Sequence, residues 1–177
     1  MIVVDASVLA WLWLPGEWSE QAEAALRRDS EWAAPVVWRS EFRNLLGGFV
    51  RRKELDAGGA LRVVEGAERL LHGQEYAVPS DRVLQLAGES GRPASDCAFV
   101  VLAADLGAPS VPTPEALVRP FPLLAVPLGS FARAGPSIPP RAPSTPAGLA
   151  QRRPRPASPH VALALPPDAR GSVAACA

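Results

Sequence analysis

Apolar and polar positions along the chain switch between two periods. Ile2-Val3-Val4 is a short β-branched run, wholly apolar, which suits a strand covered on both faces of a parallel sheet. Asp5 ends it, and Ala6–Leu14 then reads as a helix running to Pro15-Gly16. Glu20–Asp29 has the Ala, Glu and Arg content of a surface helix, and Trp32–Val37 is a second strand around Pro35. Ser40 can cap the next helix, whose stripe is Phe42, Leu45, Leu46, Phe49 and Val50. Gly47-Gly48 in its middle costs about 1 kcal/mol per glycine relative to Ala and leaves room for a bend. Ala60–Leu71 follows as another amphipathic helix, then Tyr76–Val78 as a minimal strand. Ser80 is placed to cap Asp81–Gly88, and Ser95 to cap the apolar helix Asp96–Leu106, which stops at Gly107. Pro109–Val111 and Leu123–Val126 complete the strands. Strands alternating with helices predict a three-layer α/β/α fold on a short parallel sheet.

Composition divides the chain near Gly129. Residues 1–128 carry 12 Lys and Arg against 17 Asp and Glu, whereas residues 129–177 carry six Arg, one acid and half of the 20 prolines. The second stretch has no apolar period beyond Val161–Leu165, and such a segment cannot bury enough surface to offset its ordering entropy. We therefore expect one domain over 1–128 and a disordered, Pro/Ala/Arg-rich tail over 129–177. A basic arm that helps to hold RNA and drift in a GC-rich coding region both produce such a tail. Cys97 and Cys176 form neither a disulfide framework nor a CxxC pair. The apolar stretch Met1–Leu14 contains Asp5, lacks a basic start and is too short to span a bilayer. The expected setting is cytoplasmic, with no membrane association.

Chemistry concentrates on three acids. Ligands of parallel α/β sheets sit beyond the carboxyl ends of the strands, which is where Asp5 falls. Ser7, two residues on, can cap the first helix or orient that carboxylate. Glu41 and Asp96 each stand at the start of a helix. Singly, each acid has a plainer role, since Asp5 can cap a helix and the other two gain from the helix dipole. Together they can converge on one edge of the sheet. Clustered carboxylates repel, and a hard divalent cation reverses that cost, so magnesium or manganese fits Asp5, Glu41 and Asp96. With two His and two Cys in the chain, zinc does not fit. A phosphotransferase using D-x-D after the first strand is disfavoured, because Asp5-Ala6-Ser7 lacks the second acid.

Four motifs in order give a sharper reading. They are Ile2-Val3-Val4-Asp5-Ala6-Ser7-Val8-Leu9, Glu41-Phe42-Arg43-Asn44, Ser95-Asp96-Cys97-Ala98-Phe99 running into Val100-Val101-Leu102-Ala103, and Leu106-Gly107-Ala108-Pro109 with Arg119-Pro120-Phe121-Pro122. Residues 1–128 thereby resemble the PIN-domain family, and within it the VapC-type toxins of bacterial toxin–antitoxin pairs. The resemblance implies a magnesium- or manganese-dependent endoribonuclease acting on RNA such as tRNA or rRNA, a homodimer, and inhibition by a small antitoxin protein. It carries Asp5, Glu41 and Asp96 onto the family's metal-ligand positions and adds Asn44 as a supporting residue. The family's last acidic element, V-T-x-D, is replaced by Val111-Pro112-Thr113-Pro114. Glu115 follows at once, so Thr113 and Glu115 stand as its substitutes. Phe99 replaces a usual Tyr.

A nuclease must hold phosphates, and this domain is net acidic. The available cations near Glu41 are Arg39 and Arg43, with Arg51, Arg52 and Lys53 at the end of the same helix, where they also suit the dipole. All five Trp lie within the first 38 residues, some for the core and some for a partner surface. Because Pro112 and Pro114 interrupt the last motif, a PIN-fold module that binds antitoxin or RNA without turnover is the alternative function.

Overall fold

The computed structural model describes residues 1–112 and 118–134. Thr113 and Glu115, and the expected tail from residue 135 onward, lie outside the described residues. Strand β1 (Ile2–Val4) leads into α1 (Ala6–Ala10) and α2 (Ser19–Arg28); β2 (Trp32–Pro35) leads into α3 (Trp38–Arg51) and α4 (Ala57–Leu70). Then come β3 (Glu75–Tyr76), α5 (Ser80–Ser90), α6 (Ala94–Leu106), β4 (Ser110–Val111) and α7 (Leu128–Arg133).

The strands form a parallel sheet in the order β3-β2-β1-β4. Ile2 lies opposite Trp32 and Val3 opposite Ala33, while Val3 and Val4 pair with Ser110 and Val111 on the other side. Successive side chains of a strand point to opposite faces, and all residues of β1 and β2 are buried. Both faces of the sheet are therefore covered, the three-layer arrangement that an unbroken apolar run requires. Helix α6 packs against β1, β2 and β4 and is buried continuously from Cys97 to Ala103, so it is a central element rather than an amphipathic one.

Several boundaries differ from the sequence expectation. Helix α1 ends at Ala10, and the chain tightens through i→i+3 bonds from Leu12 to Leu9 and Trp13 to Ala10, because Pro15 disfavours helix just before it. None of the three expected serine caps is one. Helices α3, α5 and α6 start earlier than expected and have Val37, Pro79 and Pro93 at the N-cap, with no side-chain cap bond. Trp38 draws α3 forward by burying its indole edge-on to Phe42, one turn away at 5.4 Å. A real cap occurs where none was expected, at Asp56, which accepts from the Gly59 amide and starts α4 at Ala57. Gly47 and Gly48 do not interrupt α3. The expected strand Leu123–Val126 is reduced to one parallel bridge, Ala125 to Ser110, and Leu123 is 97% exposed.

The folded part also runs past the compositional break. Helix α7 packs on α2, with Gly129 and Phe131 buried. The Arg28 guanidinium sits 4.3 Å from the centre of the Phe131 ring and donates to the Phe131 carbonyl.

Candidate active site

The sheet order fixes where a site can form. From β1 the chain moves outward to β2 and β3, then returns to the other side of β1 for β4, so the strand order reverses at β1. Asp5 is the first residue beyond the carboxyl end of β1. Helix α3 leaves the carboxyl end of β2 and carries Glu41 in its first turn; α6 carries Asp96 in its own.

Asp5 has two roles at once. Its Oδ1 accepts from the Val8 amide at 2.8 Å, so it is the N-cap of α1. Ser7 is half-buried within the first turn and does not supply the cap. Capping fixes the Asp5 carboxylate at the strand end, which places it among the other acids instead of competing with that placement.

Glu41 shows that the three acids are neighbours. Its carboxyl is held above the ordinary glutamate range, first by burial and then by the negative charges of Asp5 and Asp96. A hydrogen bond with the Ser95 hydroxyl acts in the opposite direction. Ser95 thus acts on the Glu41 carboxyl and does not cap α6. Asp96 is held by Arg92, whose Nη2 donates to Oδ2 at 2.9 Å. Arg92 was not singled out from the sequence, although its spacing of four residues from Asp96 is the one signal that could have found it.

No three Asp, Glu, His or Cys side chains among the described residues are closed upon one point as a ready cage. The acids share a field without sharing a centre, since Val8 holds Asp5 and Arg92 holds Asp96. Even so, the donor set fits a hard divalent cation: it is all carboxylate oxygen, partly desolvated, and mutually repelling at Glu41. Asn44 is exposed on α3, one turn beyond Glu41.

The basic residues divide into two groups. Arg39 is committed to the fold: its guanidinium pairs with Glu68 of α4 and, through Nε at 2.8 Å, with Glu75 of β3. Trp38 Nε1 donates to the same Glu75 at 2.6 Å. Arg52 pairs with Glu54 at 2.7 Å and lies over the Phe49 ring. Arg43, Arg51 and Lys53 are exposed, with the Arg43 Nε donating to the Arg39 carbonyl at 2.8 Å. Beside the acids, an apolar groove of about 380 Å³ is lined by Val36, Val37, Val83, Leu84 and Ala98 and reaches Ser95. Of the five Trp, Trp32 and Trp38 are core, Trp11 and Trp18 are half-buried, and Trp13 is exposed. None of the helices among the described residues is long and apolar enough to cross a membrane.

No family model matches the chain. It is 32% identical over 129 residues to Ribonuclease VapC3 of Pyrobaculum aerophilum, a match spanning 71% of this chain and 98% of that protein. Its fold superposes on the crystal structure of PAE2754 from Pyrobaculum aerophilum with a TM-score of 0.60 at 22% sequence identity, covering 74% of this chain and 85% of the other. That second likeness concerns architecture alone. The near-complete span of the first, together with the order of motifs on this sheet, means that the chain belongs to the PIN-domain family, among its VapC-type toxin ribonucleases.

Proposed function

We infer that this protein is the toxin of a toxin–antitoxin pair, an endoribonuclease that hydrolyses RNA phosphodiesters with magnesium or manganese held by Asp5, Glu41 and Asp96. The observation that carries this reading is the placement of three acids: Asp5 directly beyond β1, where the strand order reverses, and Glu41 and Asp96 in the first turns of α3 and α6. They are close enough that burial and the other two charges hold the Glu41 carboxyl above the ordinary glutamate range. Such an arrangement is unfavourable without a cation and favourable with one. When bound, a divalent cation supplies charge stabilisation at the scissile phosphate and a lower pKa for the attacking water. The chain's own residues do the rest. Asp5 is fixed by its cap bond, Ser95 orients Glu41, and Asn44 lies on the same helix as Glu41 to meet the substrate. Arg43 is the exposed cation nearest to Glu41 along α3, with Arg51 about 12 Å further along the helix and Lys53 just beyond its end, and these three serve the RNA backbone.

The relative's name supports the same reading, since it is a VapC ribonuclease. It extends to the partners: a cognate antitoxin, whose apolar segment has a seat in the groove that ends at Ser95, and an RNA substrate such as tRNA or rRNA. A homodimer working in the cytoplasm completes the proposal. A second reading, binding without turnover, is favoured by Pro112, which is buried at the end of β4 where the family's last acidic element begins.

One experiment separates the two. Purified protein is given RNA with manganese, and then with a chelator, beside Glu41→Gln and Asp96→Asn. Turnover predicts cleavage that the chelator abolishes and that each variant lowers by more than about 100-fold, since even outer-sphere partners cost 10- to 100-fold. Cleavage persisting in both variants refutes the assignment of the site; RNA binding without cleavage in the wild type leaves the second reading.

A further inference from the structure

Arg92 is a cation placed against the acidic site. It lies between Gly91, which ends α5 in a left-handed conformation at φ +66°, and Pro93, which precedes α6. Both sides of Arg92 in this three-residue link are fixed. The Arg92 amide donates to Ser90 Oγ at 3.3 Å, and its carbonyl accepts from the Cys97 thiol at 3.9 Å. The backbone is anchored, and the side chain reaches forward to Asp96 at 2.9 Å. Asp96 thus has a protein-borne positive charge beside it, whereas Glu41 has two negative ones. Arg92 Nε is enclosed and has no hydrogen-bond partner among the described residues, so the guanidinium keeps donor capacity beyond the one bond that it makes.

A guanidinium and a divalent cation compete for the same carboxylate oxygens. The Arg92–Asp96 pair is about one-quarter exposed on each side, so solvent screens it and the pair is exchangeable rather than locked. The guanidinium engages only Oδ2 of Asp96, while the Asp96 charge still acts on Glu41.

We propose that Arg92 is a positioning residue that acts as a displaceable counterion: it holds the Asp96 carboxylate while the cation position is vacant and yields it when a divalent cation binds, which frees the guanidinium for an RNA phosphate. The proposal rests on the metal-dependent reading given above. Arginine suits both tasks, since it stays charged and its planar fork matches carboxylate and phosphate alike.

The test is manganese binding to the RNA-free protein, followed by calorimetry, for the wild type, Arg92→Gln and Arg92→Lys. Loss of the competing charge makes Arg92→Gln bind manganese roughly 3- to 10-fold more tightly, and Arg92→Lys stays near the wild type. In steady state at saturating manganese, Arg92→Gln raises KM for RNA several-fold with little change in kcat. Melting of each variant without metal checks that it is folded; Arg92→Lys is the charge-keeping control, and Arg92→Met, which also removes the charge, carries the test if Arg92→Gln is not folded. Equal or weaker manganese binding by folded Arg92→Gln, or an unchanged KM, overturns the proposal while leaving the metal site intact. A wild type that binds no manganese overturns the metal-dependent reading and this inference together.

Discussion

Asp5 caps a helix and faces the acidic site, and two substitutions separate those roles. Asp5→Asn keeps an oxygen for the Val8 amide, 2.8 Å away, and removes only the charge. Asp5→Ala removes both. Asn and Asp are equivalent N-caps, whereas replacement by Ala costs about 1 kcal/mol, with a range of roughly 0.5–2. For a chain of this length that is about 3 °C in melting temperature. Loss of the charge acts in the other direction without metal, because one of the two carboxylates that repel Glu41 is gone. Without metal, Asp5→Asn should therefore melt at or slightly above the wild type, and Asp5→Ala a few degrees below Asp5→Asn. With manganese the order changes: the wild type alone gains ligand stabilisation, about 2.7 kcal/mol at a concentration 100 times Kd. RNA cleavage is lost in both variants. The assay is thermal and denaturant unfolding with and without manganese, read beside a cleavage assay. Equal stability of the two variants refutes the capping account. Cleavage by Asp5→Asn at the wild-type rate refutes the metal-ligand account.

Four further outcomes follow from other residues. Glu41 has a raised folded pKa, first through burial, so its ionisation penalises the native state; the penalty is absent below the ordinary glutamate range and complete above the raised value. Metal-free Glu41→Gln should accordingly gain stability over the wild type as pH rises through that window, and urea midpoints at a series of pH values check it; a difference independent of pH refutes it. Phe131 is buried beneath Arg28, so Phe131→Ala should cost about 3–5 kcal/mol, measured by denaturation, and a chain ended at Leu128 should lose a similar amount. A loss under 1 kcal/mol would detach α7 from the core. Arg39→Ala should lower stability by about 1–3 kcal/mol by breaking its pairs with Glu68 and Glu75, with RNA affinity per folded molecule unchanged. Arg43→Ala should do the reverse, leaving stability within about 0.5 kcal/mol and reducing the salt slope of RNA binding by about one.

Local pattern carries particular parts of this protein and not others. Ile2-Val3-Val4 followed by an acid is legible because a strand buried on both faces must be apolar throughout, and such a strand ends at the edge where ligands bind. Gly107 is legible as a stop because its left-handed φ of +60° suits glycine. The serine caps fail because each N-cap falls before the serine: α5 and α6 start directly after Pro79 and Pro93, whose fixed φ leads into a helix, and α3 starts after Val37, where burial of Trp38 draws the start forward. The strand Leu123–Val126 was overread because apolar character does not show which residues have a partner edge; only Ala125 does. The break at Gly129 was a change in composition, and α7 crosses it because Phe131 finds Arg28 on α2, more than a hundred residues away in sequence.

The same division runs through the site. Sequence by itself determined which residue types are present and where they stand on their elements: Asp5 after a strand, Glu41 and Asp96 in the first turns of helices. Those positions follow from nearest-neighbour rules of strands and helices. Tertiary structure alone decided that the three acids act on one another, that Ser95 serves Glu41, that Arg39 belongs to the fold and that Arg92 holds Asp96. The reason is physical. Charge interactions depend on distance and burial, and both arise only when the return of the chain from β3 to β4 brings α6 across the sheet to the end of β1.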